Sequence, residues 1–211
     1  ASRAPSVHNT QPWRVTVGDG GIVVRPATEI RLPFADPTGR GGWIAVGAFA
    51  ENMRQAAQAS GREASLEILP DGTARIALGA AGGSVDERTQ NAIAHRATCR
   101  GPFAPLPDAA ATVRSLSIAP APGTAVTFLT DRGRIAQFAD LIREGTRLAY
   151  ADRGFCVEHA QWLRSHWTRR LDGIPGYAIG IPPLLQMVLP TLLKIKDASA
   201  MRSKQEWKKA V

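Results

Sequence analysis

The chain has 211 residues, 44% hydrophobic and 21% charged, with a formal net charge of +8. This composition excludes a disordered or fibrous chain and allows one large domain or two small ones. The excess of Lys and Arg admits a polyanionic partner, but there is no zinc-finger spacing, no RNA-binding aromatic signature and no basic run longer than two residues. A nucleic-acid-binding protein therefore rests on charge alone, and no specific nucleic acid is expected. No stretch reaches the roughly 18 consecutive apolar residues of a spanning helix.

The first informative stretch is Ala4-Pro5-Ser6-Val7-His8-Asn9-Thr10-Gln11-Pro12-Trp13. It is too polar for a core segment. Its prolines favour extended backbone, and its amides offer donors and acceptors together, which suits the mixed edge of a heterocycle. Residues 14–18 alternate polar and apolar, Asp19-Gly20-Gly21 supplies a turn, and Ile22-Val23-Val24-Arg25 follows, the pattern of a β-hairpin. After a breaker-rich loop, residues 43–60 form the clearest helix of the first half. Trp43, Val46, Gly47, Ala50, Met53 and Ala57 recur at helical spacing, and Gly61 stops it. Small residues at 45, 47, 48 and 50 suggest close packing, with Gly47 and Ala48 in a core. Residues 65–69 and 73–78, joined by Pro70-Asp71-Gly72, predict a second hairpin. Gly79 to Gly83 reads as a flexible linker and a boundary between halves, 1–83 and 84–211.

Ser84 and Glu87 read as a capping box opening a helix to about His95 or Arg96. Arg96-Ala97-Thr98-Cys99-Arg100 follows. Two guanidiniums with a hydroxyl between them suit a phosphate dianion through charge-assisted bonds. Residues 107–117 predict a short helix with Asp108 near its start, and residues 124–130 a strand. Asp131 caps a helix of about 20 residues, with Ile135, Phe138, Ala139, Ile142 and Leu148 at helical spacing. A further helix follows Gly154. On it His159 and His166 are seven apart, hence roughly on one face, but lack a completing carboxylate or Cys, so no metal is expected. Residues 172–183 form a Gly/Pro loop of the kind that acts as a lid. Residues 184–195 predict a hydrophobic helix broken by Pro190, and the basic segment 194–211 reads as a mobile arm or as a segment whose neighbour is missing. Two cysteines, Cys99 and Cys156, build no disulfide framework and fit a reducing, cytoplasmic compartment.

Ala-Pro-Ser-x-x-Asn-x-Gln-Pro-Trp resembles the signature of the FMN-dependent nitroreductase superfamily, and the His8-Asn9-Thr10 version resembles its Acg-type branch of two fused halves. Arg-x-Thr-x-Arg at 96–100 is similar to the Arg-x-Ser-x-Arg motif that holds the FMN phosphate and ribityl chain in that family. The resemblance implies a pseudo-dimeric α+β fold, a small antiparallel sheet with long helices. It implies FMN held by Pro5, Ser6, His8, Asn9, Gln11, Trp13 and Arg14 from the first half and Arg96, Thr98 and Arg100 from the second. NAD(P)H would be the electron donor and a nitro or quinone compound the acceptor, with no catalytic side chain required because the flavin carries the chemistry. A monomeric pseudo-dimer or a homodimer is implied. The chain opens almost on its first motif, so a preceding helix is expected. The family also carries a further C-terminal segment with another flavin-contacting Arg. A non-catalytic FMN-sequestering protein is the main alternative.

Overall fold

In a computed structural model, the structure describes residues 3–99, 104, 107–116 and 123–195. Arg100 and the segment after Ile195 lie outside the described residues.

The chain is a mixed α and β protein. Strands β1 (Trp13–Gly18) and β2 (Gly21–Pro26) form the predicted hairpin over the two-residue Asp19-Gly20 turn. Gly21 sits at φ 124°, and a Cβ there would lie 2.1 Å from the carbonyl oxygen of Ile76, so only glycine fits. Helix α1 (Arg40–Ala59) follows, then β3 (Arg62–Ile68) and β4 (Ala74–Ala81). The antiparallel sheet runs β1-β2-β4-β3, with Ile22 opposite Ile76 and Val24 opposite Ala74. Period-two alternation sends these four to one face, where they meet Ala45, Val46, Phe49 and Ala50 of α1. Trp13 stacks on Phe49 at 4.6 Å between ring centroids. Ala48 packs against this core, but a Cβ on Gly47 would meet open space. The small-residue stripe is thus only partly a packing device.

Gly79 to Gly83 is not a free linker. Residues up to Ala81 belong to β4, and the N–H groups of Gly82 and Gly83 both donate to the Gly61 carbonyl, at 3.0 and 2.9 Å. Helix α2 (Glu87–His95) starts later than the capping box implies: Asp86, not Ser84, is its N-cap, accepting from the Thr89 N–H. Gln90 ties α2 to the C-terminal end of α1 through the Ala59 carbonyl, at 3.1 Å.

Helix α3 (Ala109–Ser115) is capped by Asp108 and helix α4 (Arg132–Ala151) by Asp131, as expected. Residues 124–130 form no strand. They are exposed, and β propensity alone does not make a sheet. Helix α5 (Arg153–Trp162) is capped by Asp152. Strands β5 (Leu163–Arg164) and β6 (Ile174–Pro175) form a two-residue parallel ladder, and α6 (Pro183–Ile195) runs through Pro190 rather than breaking there. The presumed lid at 172–183 is therefore partly ordered, by β6 and a 3-10 turn at Gly176–Ile179. A second core joins Tyr150, Cys156, Ala160, Leu163, Ile174 and Leu193. By contrast Phe138, Ile142 and Leu148 of α4 are about half exposed.

Ile76 lies at the centre of the first core, 1% exposed. Ile76→Ala is expected to destabilise the protein by about 2–5 kcal/mol, lost transfer energy plus a cavity, read as a lower urea midpoint at unchanged slope.

Candidate functional site

The polar stretch that begins at Ala4 is a clasp between the two cores. Ala4 is fully buried and starts it; Pro5 is exposed. A 3-10 turn covers Val7–Asn9. Three non-glycine residues here lie in the left-handed region, His8 at φ 49°, Asn9 at 54° and Gln11 at 52°. Each such residue costs on the order of 1–2 kcal/mol, least for Asn. Local bonds hold the conformation. The Ser6 carbonyl accepts from the Asn9 N–H, the Val7 carbonyl from the Thr10 N–H, and the Ser6 Oγ from the Gln11 N–H at 3.1 Å.

Long-range bonds add to these. Asn9 Nδ2 donates to the carbonyls of Leu171 and Gly173, both at 2.9 Å, and Gly173 N–H returns a bond to the Asn9 carbonyl at 3.0 Å. Gln11 Nε2 donates to the same Leu171 carbonyl. Gly173 is required there: at φ 78° its Cβ would lie 2.6 Å from the Trp162 carbonyl oxygen and from Arg164 Nε. The His8 ring stacks on His159 at 4.7 Å with 9° between planes and meets the edge of Phe155 at 6.1 Å. His159 Nδ1 in turn shares a buried hydrogen bond of 2.7 Å with the Tyr150 hydroxyl. Beneath, the buried Glu158 carboxylate accepts from the Phe34 and Ala35 N–H groups at 3.1 and 2.8 Å, joining the loop before α1 to α5.

Beside Gly173, Asp172 lies between two guanidiniums, Arg170 at 2.8 Å and Arg164 at 3.2 Å. The Arg170 hydrogen bonds, reinforced by Arg164, hold its carboxyl well below the usual carboxylate range against a small burial penalty. His166 lies beyond the end of α5, with Nε2 at 2.6 Å from the Ile181 carbonyl oxygen. It does not share a helix face with His159, and the described residues contain no group of metal-ligating side chains.

The other residues named by the sequence fall in distinct places. The Trp13 ring belongs to the sheet–helix core, and Arg14 pairs with Glu29 on the surface. Arg96 follows α2, and its Nε donates to the carbonyl of Arg3, two residues before Pro5. The second motif therefore reaches the start of the first across 93 positions of chain. Thr98 is exposed.

No family model matches the chain. It is similar to the protein named "Putative NAD(P)H nitroreductase acg" in Mycobacterium tuberculosis strains CDC 1551 / Oshkosh and ATCC 25618 / H37Rv. Identity is 34% over 115 residues, 51% of this chain and 35% of the relative. The matched part thus spans about a third of the length of these relatives. These relatives are named for the class that the sequence motifs suggest, a nitroreductase.

Sequence reasoning did not find Tyr150, Glu158 or the 171–173 carbonyls. Glu158 carries no motif, and its role depends on which backbone N–H groups the fold brings to it. Tyr150 is nine residues from His159 in a different helix, a spacing without a periodic signature.

Two outcomes follow. Asn9→Ala removes two side-chain bonds, worth about 0.5–1.5 kcal/mol each, and is expected to raise amide hydrogen exchange selectively at 171–173. Asp172 has a depressed folded pKa, so its stabilisation is present above its unfolded pKa and is lost as pH falls through and below the ordinary Asp range near 4. Asp172→Asn should flatten that acid limb in thermal melts recorded against pH.

Proposed function

We propose that this chain is an FMN-binding oxidoreductase of the nitroreductase superfamily, in its Acg-type fused-half branch. It would use NAD(P)H to reduce nitro or quinone compounds by two electrons. The observation that carries the reading is the bond from Arg96 to the carbonyl of Arg3, which draws the phosphate-type motif against the Pro5–Trp13 motif. Similarity to a nitroreductase over half of the chain supports it independently.

The donor set fits a flavin mononucleotide. Arg96, Thr98 and Arg100 would hold the phosphate and ribityl chain by charge-assisted bonds. Pro5, Ser6, His8, Asn9 and Gln11 would line the ring, with Trp13 and Arg14 behind them. Both N–H groups of Asn9 are engaged by Leu171 and Gly173, which leaves its amide oxygen as the acceptor for a ring N–H. A bound flavin supplies the hydride chemistry; the protein orients it and stabilises charge on the reduced ring. The halves would divide at 1–83 and 84–211, each contributing one motif to one cofactor.

Titration of the apo-protein with FMN, followed by flavin fluorescence, tests this. Arg100→Ala is expected to weaken affinity by one to two orders of magnitude, about 1.5–3 kcal/mol for a charge-assisted contact. An unchanged dissociation constant removes Arg100 from the site. NADPH oxidation that depends on added nitrofurazone or menadione identifies the enzyme, whereas bound flavin without such oxidation identifies a flavin-sequestering protein.

A further inference from the structure

Helix α6 carries two apolar stripes, where a helix at a protein surface ordinarily carries one. Gln186, Leu189 and Leu193 recur at helical spacing and form the inward stripe. Leu189 and Leu193 pack into the second core, and Gln186 donates to the Arg164 carbonyl. The stripe turned to solvent is Leu184, Met187, Val188 and Thr191, and it ends at Lys194. Leu184 is 81% exposed and Met187 71%. Two aromatic rings stand by the start of this helix. His166 Nε2 lies 2.6 Å from the carbonyl oxygen of Ile181, two residues before Pro183 opens α6. The same imidazole lies 6.0 Å from the Trp167 ring and 6.3 Å from the Tyr177 ring, and both of these rings are exposed. Charge on this surface has one sign. Residues 173–194 contain no Asp or Glu, and their one charged side chain is Lys194. Arg169 is exposed two residues after Trp167. Asp172, the acid that precedes this run, is paired with Arg164 and Arg170. Helix α4 also exposes Phe138, Leu141 and Ile142, but with Asp140 and Glu144 exposed among them.

We infer that the outward face of α6, with Trp167 and Tyr177, docks this protein on the surface of an anionic lipid bilayer. Leu184, Met187 and Val188 enter the boundary between headgroups and acyl chains. Trp167 and Tyr177 have the amphipathic rings that settle at headgroup level. Lys194 and Arg169 meet the lipid phosphates, and a face without carboxylates does not repel them. The helix lies along the bilayer and does not cross it. Its 13 residues span about 20 Å at 1.5 Å per residue, short of a hydrocarbon core of roughly 30 Å. Among the described residues no helix is long and apolar enough to cross a membrane. Charge decides for lipid over the exposed face of α4, whose acids an anionic surface would repel. The inference is independent of the flavin reading above and uses none of its residues.

The test is flotation of the full chain with vesicles of equimolar phosphatidylcholine and phosphatidylglycerol, against vesicles of phosphatidylcholine alone. The protein is expected to partition onto the mixed vesicles about tenfold more strongly, and high salt should remove most of that difference. Leu184→Glu combined with Met187→Glu changes two exposed positions. It should weaken partition by at least about tenfold while leaving the circular dichroism spectrum and FMN affinity unchanged. Leu184→Ser combined with Met187→Ser adds no charge and should weaken partition severalfold, through lost burial alone. Absence of flotation with the mixed vesicles overturns the inference. So does equal flotation of wild type and the double Glu variant, and so does equal flotation on the two lipid compositions. Self-association in sedimentation velocity that the double Glu variant abolishes, without flotation, also overturns it and gives the face to a second copy of the chain. Flotation with this dependence on residues 184 and 187, in a protein that binds no FMN, leaves the docking face standing and removes the flavin reading.

Discussion

The Asn9 side chain holds the two parts of this protein in register. Its two N–H groups meet the carbonyls of Leu171 and Gly173, and its backbone carbonyl takes the Gly173 N–H in return. The partners lie more than 160 positions away. A hydrophobic contact of similar area would tolerate a slip of an ångström; three hydrogen bonds to fixed backbone groups do not. Around this point the left-handed backbone of His8, Asn9 and Gln11 becomes intelligible. A regular turn would direct these side chains elsewhere. The strain is offset by the bonds that only this geometry allows, and such over-determined strain is typical of binding surfaces.

The clasp combines bonds to backbone groups at 171–173 with the stacking of His8 on His159. The first core is sheet against helix, closed by Ile22, Val24, Ala74 and Ile76 below α1. The second is helical, built from the end of α4, α5 and α6. Between them lie backbone groups of loops, and buried ones must be satisfied. Glu158 takes two of them, at Phe34 and Ala35. This use of a buried carboxylate resembles helix capping more than ion pairing: two N–H dipoles, not a cation, accompany the charge. The Arg164–Asp172–Arg170 group then fixes the loop that Asn9 grips.

Much of the first half is legible in the sequence because its signals are local. Asp19-Gly20 and Asp71-Gly72 announce turns, alternation announces strands, and Asp108 and Asp131 announce helix starts one or two residues away. Where two local signals compete, legibility fails by small amounts: Ser84 and Asp86 are both good caps, and Asp86 wins because the helix begins at Glu87. Where a signal needs a distant partner, it fails outright. Residues 124–130 have strand propensity but do not form a strand. Pro190 has a breaker's chemistry inside a helix that continues past it. The candidate site shares both properties. Its motifs stand out as strings, but Tyr150 against His159, and Leu171 and Gly173 against Asn9, exist only after folding.

The same distinction bears on how the candidate site is built. A motif whose amides pointed freely to solvent would be an adaptable surface, binding planar ligands with little geometric preference. With the N–H groups of Asn9 and the Gln11 Nε2 committed to the 171–173 carbonyls, the rim is instead pre-organised. What remains to meet a ligand is set in advance: backbone of the 5–8 segment, the Asn9 oxygen, and the ring of His8 pinned flat against His159. Ordering entropy is spent during folding and not at binding, which lowers the cost of binding a ligand that matches the fixed surface. The bonds that draw the two cores together also leave few conformations for the surface between them.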